Sequence, residues 1–246
     1  SFSALGFNAP AWVAASSMSI LYSISGHQAP LAILIAFFFP MLVLAVCMVS
    51  LTRQAPLTRI EIHPLSSDSD YHAHLAQGQV DLVIGNWQQP PGELHMARLF
   101  DDEVVSLVNR DHPAVRRGWD LDSWLAAEHI APTPTHPGAR GIIDQMLDGM
   151  GHQRNITARC AHFGLIPDMV AASLLVLTTG RQYCERAAQR LPLAILPCPM
   201  ALPRLMYYQL WHERTHGSSA ARWLRELTKE IAASLRHTQN NTTSTM

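Results

Sequence analysis

The sequence predicts an α/β fold built on largely parallel strands. Residues 80–85 (Val-Asp-Leu-Val-Ile-Gly) form a short apolar run ending in glycine, which is typical of a strand buried on both faces of a parallel sheet. Strand-like and helix-like patterns alternate after residue 52, which indicates βαβ units. The chain has 246 residues, enough for one large domain or for two lobes of about 100 residues each.

The elements follow in order from residue 53, each predicted by its periodicity and its stop signals. The first half begins with a strand over 58–63 with alternating polarity, a helix over 68–78 closed by glycine and the strand 80–85. A Pro-rich loop over 87–92 and a strand over 104–109, which stops at 111–113, come next. A helical segment over 121–128, a strand over 129–131 and an amphipathic helix over 138–151 complete this half. The second half reads as strands over 156–160, 174–178, 194–196 and 205–211, helices over 167–173, 182–189 and 219–235, and a polar tail, 237–246, that we expect to be disordered.

Charge is distributed very unevenly along the chain. All 18 basic and 19 acidic side chains follow residue 52, and they nearly balance at a net charge of −1. A surface that binds nucleic acid needs clustered Lys and Arg, and the sequence shows no such cluster. The four cysteines include no CxxC pair, which favours reduced thiols and a cytoplasmic protein.

The charge-free segment 1–52 contains an apolar run, 31–50, about as long as a membrane span. It lacks the basic start and cleavage site of a signal peptide, and Pro40 interrupts it. Three interpretations remain open: a membrane anchor, which we do not favour, a buried core helix, or a frameshifted region.

A set of short motifs then appears in a recognisable order. They are Gln54-Ala-Pro56, Leu75 to Gly85, Leu99-Phe-Asp-Asp-Glu103, Arg110-Asp-His-Pro113, His162-Phe163 with Pro167, Trp211-His-Glu-Arg214 and Ala221 to Arg225. Their order over residues 52–235 resembles the effector-binding domain of LysR-type transcriptional regulators, and within that family the branch that senses aromatic or nitroaromatic acids and flavonoids.

The resemblance implies two Rossmann-like lobes joined by two crossing strands, as in type 2 periplasmic binding proteins. Lobe one would comprise 53–107 and 206–236, and lobe two 108–205. The crossing strands would be 104–109 and 205–211, with hinges at Asn109 and Leu205. The first strand of lobe one should precede Arg53, and 20–25 is a poor candidate for it.

The resemblance further implies a sensor rather than an enzyme. A small effector, here an aromatic carboxylate, would bind between the lobes, and the protein would be a homodimer or larger homo-oligomer. Contact with DNA would be made only through a helix-turn-helix domain, which 1–52 cannot supply without cations for the phosphates. We expect no cofactor and no metal site.

Five residues are candidates to bind the effector. Asn86 follows a strand that ends in glycine, His136 precedes a helix N-terminus that favours an anion, and Phe163 beside His162 offers a ring for stacking. Ser25, with Gly26 and His27, would join them only if 20–25 is the first strand. The competing interpretations are a turn residue for Asn86, a loop histidine for His136 and a core pair for 162–163.

Other reactive side chains indicate no chemistry. His72 and His74 lie on different sides of a predicted helix, whereas metal ligands there need a spacing of four. Cys160 and His162 lack an orienting partner and an oxyanion element. Three alternatives to the regulator remain: a membrane-tethered solute-binding protein, a small α/β enzyme, or a non-functional fragment of a regulator. The effector, the promoter and the direction of regulation are not predicted.

Overall fold

The computed structural model describes residues 31–35, 49–50, 53–54, 60–64, 70–86, 94–134 and 140–243. Two five-stranded sheets account for the strands of these residues, and each sheet is the centre of one lobe. The predicted α/β fold of two lobes is confirmed.

Sheet 1 has the strand order β2-β1-β3-β10-β4. Its strands are β1 (Leu31–Ile35), β2 (Ile60–Pro64), β3 (Leu82–Asn86), β4 (His95–Asp102) and β10 (Leu205–Trp211). The first three are parallel, and β10 lies antiparallel between β3 and β4. The place between β2 and β3 is filled by Leu31–Ile35, which lies upstream of Arg53 as the sequence predicts for the first strand. The candidate for that strand at 20–25 lies outside the described part of the chain.

Sheet 2 has the strand order β7-β6-β8-β5-β9. Its strands are β5 (Val104–Asn109), β6 (His129–Pro132), β7 (Ile156–Cys160), β8 (Val176–Gly180) and β9 (Leu193–Pro197). Strands β7, β6 and β8 are parallel, while β5 is antiparallel to β8 and β9.

Besides residues 49–50 and 53–54, which are helical as well, eight helices with defined bounds pack around these sheets in the described residues. They are α1 (Tyr71–Gln77), α2 (Pro113–Arg117), α3 (Leu121–Ala126), α4 (Ile142–Gly149), α5 (Ile166–Ala171), α6 (Arg181–Ala188), α7 (Glu213–His216) and α8 (Ser219–Thr243), with a 3₁₀ turn at Phe163–Leu165. Helix α8 continues to Thr243, so the predicted disorder from residue 237 is wrong over 237–243. Once a helix is nucleated, each added residue contributes one backbone hydrogen bond, which extends it into a polar sequence.

The chain crosses between the sheets at two short connections. The first is Glu103 alone, because β4 ends at Asp102 in sheet 1 and β5 begins at Val104 in sheet 2. The second is the segment 198–204 between β9 and β10. Strands 104–109 and 205–211 therefore each belong to one sheet, and the lobe boundary lies at Glu103 rather than at 107. Lobe one also includes Leu31–Ile35.

The largest hydrophobic core is continuous through both crossings. Phe100, Leu205 and Tyr207 from sheet 1 belong to the same buried cluster as Val104 and Trp124 of lobe two. A second cluster covers the other face of sheet 2. The two lobes therefore share apolar packing at their junction instead of meeting only through a linker.

The apolar run 31–50 begins as strand β1, and residues 36–48 lie outside the described part of the chain. Among the helices that the structure describes, none has both the length and the apolar character needed to span a bilayer.

Candidate functional site

The carboxyl ends of the strands in both sheets meet at the two crossings. In sheet 1, Asn86 at the end of β3 pairs with Tyr207, and Asp102 at the end of β4 pairs with Leu205. In sheet 2, Gly180 at the end of β8 pairs with Val104, where the first crossing enters. The carboxyl edge of each sheet therefore borders the same junction, which is where α/β folds bind ligands.

Asn86 forms the part of the junction's rim that sheet 1 contributes. Its side chain is half-buried, and its backbone pairs with Tyr207, whose ring stacks on Phe100 at 4.5 Å between centroids. This buried aromatic pair joins the ends of β4 and β10. Asn86 consequently lies at the carboxyl edge of sheet 1, at the position that the sequence predicts for it.

The rim that sheet 2 contributes follows β7. His162 is exposed beyond the strand end. Phe163 is only 4% exposed, and its ring packs on Tyr183 at 4.5 Å while its carbonyl accepts a hydrogen bond from the Tyr183 hydroxyl at 2.9 Å. The ring of Phe163 is therefore part of the core of lobe two rather than open for stacking on an effector. The thiol of Cys160 contacts the carbonyl oxygen of His162 and not its imidazole.

Buried Asp102 lies at the first crossing. Its carboxylate accepts a hydrogen bond from the backbone N–H of Gln182, in the first turn of α6, at 3.3 Å. Burial raises the pKa of Asp102 to about 7, and this effect outweighs the backbone hydrogen bonds from Gln182 and Glu103, which lower it. Asp102 thus joins the last residue of β4 in lobe one directly to a helix of lobe two.

Glu103 adds a second link between the lobes. The guanidinium Nε of Arg181 lies 2.7 Å from its Oε2, and the backbone N–H of Arg181 donates to its carbonyl at 2.8 Å. The Arg181 guanidinium holds the pKa of the Glu103 carboxyl below its ordinary value. The single-residue crossing is therefore bonded through both its backbone and its side chain.

Arg204 ends the second crossing and borders an open groove of about 440 Å³. The groove runs along α4 and is lined by Ile142, Gln145, Met146, Gly149, Met150, Pro203, Arg204 and Met206. Arg204 and Arg98 both pair with the carboxylate of Asp101, and a guanidinium has five N–H donors, more than this carboxylate takes up. The groove thus combines apolar walls with a cation at one end.

Of the remaining predicted residues, the structure describes Asn109 and Leu205. Ser25, Gly26, His27 and His136 lie outside the described residues. Asn109 lies at the far end of β5, where its amide donates to the carbonyl of Ala171, so it is not the hinge. Leu205 does lie at a crossing, buried and paired with Asp102.

Sequence reasoning missed the charged side chains at the crossings. Asp102 and Glu103 lie in the motif Leu99 to Glu103, which gives them no individual role, and Arg204 lies in none of the motifs. The sequence does contain one signal of such a contact: three consecutive acidic residues, Asp101 to Glu103, directly follow Phe100. Acidic side chains are rarely buried without a specific contact.

Comparisons with known proteins agree with this architecture. Residues 29–233 match the family model of the LysR substrate binding domain. The HTH-type transcriptional regulator SyrM of Rhizobium meliloti (strain 1021) is 30% identical over 159 residues, which is 65% of this chain and 48% of SyrM. The HTH-type transcriptional activator NahR of Pseudomonas putida is 28% identical over 177 residues, 72% of this chain and 58% of NahR. The chain spans about half the length of the curated relatives it matches.

Solved structures show the same fold. A probable transcriptional regulator from Pseudomonas aeruginosa aligns with a TM-score of 0.73 at 21% identity, over 88% of this chain and 74% of that one. The regulatory domain of MexT, a transcriptional activator from the same organism, aligns with a TM-score of 0.67 at 17% identity, over 82% of this chain and all of that one. Because the family model matches residues 29–233 and the chain forms two sheets that meet at two crossings, the chain belongs to the LysR substrate-binding domain family.

Proposed function

We propose that this chain senses a small aromatic carboxylate at the junction of its lobes and transmits its binding to a transcriptional regulator. The observation that supports this most directly is the meeting of both carboxyl edges at two short crossings. A ligand that contacts both edges binds one lobe arrangement better than another, and this difference in affinity is all it needs to shift their populations.

The groove beside Arg204 supports a ligand with an apolar body and one negative charge. Its volume of about 440 Å³ suits a small organic molecule, and Met146 and Met206 provide polarisable walls. Helix α4 begins at Ile142 after Gly141, which offers no side-chain cap, so its first N–H groups are also available to an anion. We place the carboxylate at Arg204 and the ring along α4.

The wider assembly follows from the family. LysR regulators bind small-molecule effectors and use a helix-turn-helix domain to bind DNA, and SyrM and NahR are by name HTH-type regulators. We propose that this chain acts in the cytoplasm as part of a homo-oligomer, with contact to DNA through such a domain, and that it binds its effector without converting it. Half-buried Asn86 and exposed His162 form the two rims of the site in this proposal.

Isothermal titration with benzoate, phenylacetate and the neutral analogue benzamide tests the proposal. We expect one carboxylate to bind per chain and benzamide to bind at least tenfold more weakly, because it lacks the charge for Arg204. The R204Q variant should lose at least tenfold in carboxylate affinity. Exposed Arg190 provides the matched control, and R190Q should bind like the wild type.

Two outcomes would contradict the proposal. One is equal affinity for the aromatic carboxylates and benzamide, and the other is equal loss of affinity in R204Q and R190Q. Mass spectra of the ligand recovered after incubation distinguish sensing from catalysis, since a sensor returns it unchanged.

A further inference from the structure

A second group of ligating side chains lies at the opposite end of sheet 1 from the crossings. His95 is the first residue of β4 and pairs across the sheet with Trp211, the last residue of β10. Helix α7 follows at once and supplies Glu213 and His216 from its two ends. The pairing of β4 with β10 therefore brings together side chains that lie 118 residues apart in sequence.

The three side chains are in mutual contact. The Nε2 atom of His95 bonds to the carboxylate of Glu213, and the His95 ring stacks on that of His216 at 4.2 Å between centroids. One nitrogen of each histidine and one oxygen of Glu213 all lie within 4.8 Å of one another. Among the residues that the structure describes, this is the one group of at least three His, Cys, Asp or Glu side chains spaced for a metal ion.

We propose that His95, Glu213 and His216 bind one divalent transition-metal ion, of the kind represented by Zn²⁺ and Ni²⁺. Two imidazoles and a carboxylate suit these borderline ions, whereas Mg²⁺ and Ca²⁺ prefer oxygen ligands and Cu⁺ prefers sulfur. Three protein ligands leave a coordination position for water, and the exposed fractions of the His95 and Glu213 side chains, 38% and 74%, give the ion access.

Binding requires a modest rearrangement. Ligand atoms around a tetrahedral Zn²⁺ lie roughly 3.5 Å apart. His216 must therefore approach the other two ligands by up to about 1 Å, while the hydrogen-bonded atoms of His95 and Glu213 move apart to make room for the ion. Both histidines and Glu213 have exposed or half-exposed side chains, and rotation about their side-chain bonds is enough for this. The ion takes the place of the hydrogen bond between His95 and Glu213, and the proton of that bond is released to solvent.

His216 provides a specific signature of the metal. The indole N–H of Trp211 donates to its Nδ1 at 3.2 Å, which places the proton of the neutral imidazole on Nε2. An ion that binds Nε2 moves this proton to Nδ1, where it opposes the indole N–H and breaks that bond. The indole resonance of nearly buried Trp211 should therefore shift when a diamagnetic ion binds, whereas adventitious binding elsewhere leaves it unchanged.

Equilibrium dialysis of the whole chain against Zn²⁺ and Ni²⁺, after treatment with EDTA, tests the site. We expect one tight equivalent per chain, and a loss of at least tenfold in affinity in H95Q, E213Q and H216Q. The chain has 13 histidines, so H152Q in lobe two serves as the control for nonspecific binding and should retain the wild-type affinity. Neither Mg²⁺ nor Ca²⁺ should compete at equal concentration.

E213Q keeps the test decisive if a histidine variant fails to fold, because it changes an exposed side chain. Zn²⁺ should raise the unfolding midpoint of the wild type and of H152Q but not that of E213Q. The proposal fails if E213Q binds Zn²⁺ within twofold of the wild type, or if the Trp211 indole resonance does not move when Zn²⁺ saturates the chain.

Discussion

Replacement of Asp102 by Asn should remove a loss of stability that the wild-type protein suffers as the pH rises. The carboxyl of Asp102 has a pKa of about 7 in the folded protein, against 3.8 for an exposed Asp, because burial at the lobe junction disfavours its charge. The unfolded chain therefore releases this proton at a lower pH than the folded chain does. The stability linked to the protonated form is complete below pH 3.8 and is lost as the pH rises through 7.

The expected magnitude follows from this displacement. The two pKa values differ by roughly three pH units, and roughly two of these units, from pH 5 to the folded pKa, lie within the range of pH 5 to 8.5. Each unit changes the free energy of unfolding by about 1.4 kcal/mol. The wild type should thus lose roughly 3 kcal/mol of unfolding free energy relative to D102N over this range. The amide oxygen of Asn still accepts from the backbone N–H of Gln182, so the contact with α6 is kept.

Urea unfolding of both proteins at several pH values between 5 and 8.5 measures this difference. The comparison cancels other titrations, such as that of His129, whose pKa is lowered to about 4 by burial in both proteins. A difference in unfolding free energy that stays constant within about 0.5 kcal/mol over this range would refute the reasoning. So would a wild type that gains stability over D102N as the pH rises.

Two further substitutions test the packing of lobe two. Arg154 and Asp144 form a buried ion pair at 2.7 Å. The variant R154M leaves the carboxylate of Asp144 buried and unpaired, so it should lower the free energy of unfolding by about 3–5 kcal/mol in urea unfolding. The double variant R154M/D144L removes that carboxylate and should recover most of the lost stability. Leu147 is 1% exposed in the core, so L147A should lower the free energy of unfolding by about 2–5 kcal/mol, and thermal unfolding should show a lower midpoint. Leu165 is 57% exposed, so L165A should change the free energy of unfolding by less than about 0.5 kcal/mol. Equal effects of L147A and L165A, or no recovery in the double variant, would contradict these assignments.

Several elements could be predicted because their signals are local. The apolar run that became β3 and the glycine that ends α1 were both visible in the sequence. Gly78 adopts a φ of 77°, where a side chain is strained, which is why glycine marked this helix end. Strand β4 was missed because exposed and half-buried residues fill its first half, as expected of a strand at the end of a sheet.

The candidate site was predicted only in outline. Asn86 could be placed at a carboxyl edge because it directly follows a strand signal, and that rule depends on neighbours in sequence. The stacking role of Phe163 could not be judged, since an aromatic residue after a strand is equally compatible with a core position, and the contact with Tyr183 decided it. The contact of Asp102 with the N-terminus of α6 joins residues 80 apart, for which no local pattern exists.

The sequence alone determined the α/β class, the two lobes and the family resemblance, because these depend on periodicity and on the order of motifs along the chain. The tertiary structure decided which apolar segment is the first strand, where the lobes divide, and which charged groups meet. Pairing between β1, β2 and β3 selected Leu31–Ile35, and pairing between β4 and β10 brought His95 to Glu213. Such choices depend on which distant segments share hydrogen bonds and burial, and a linear pattern does not specify them.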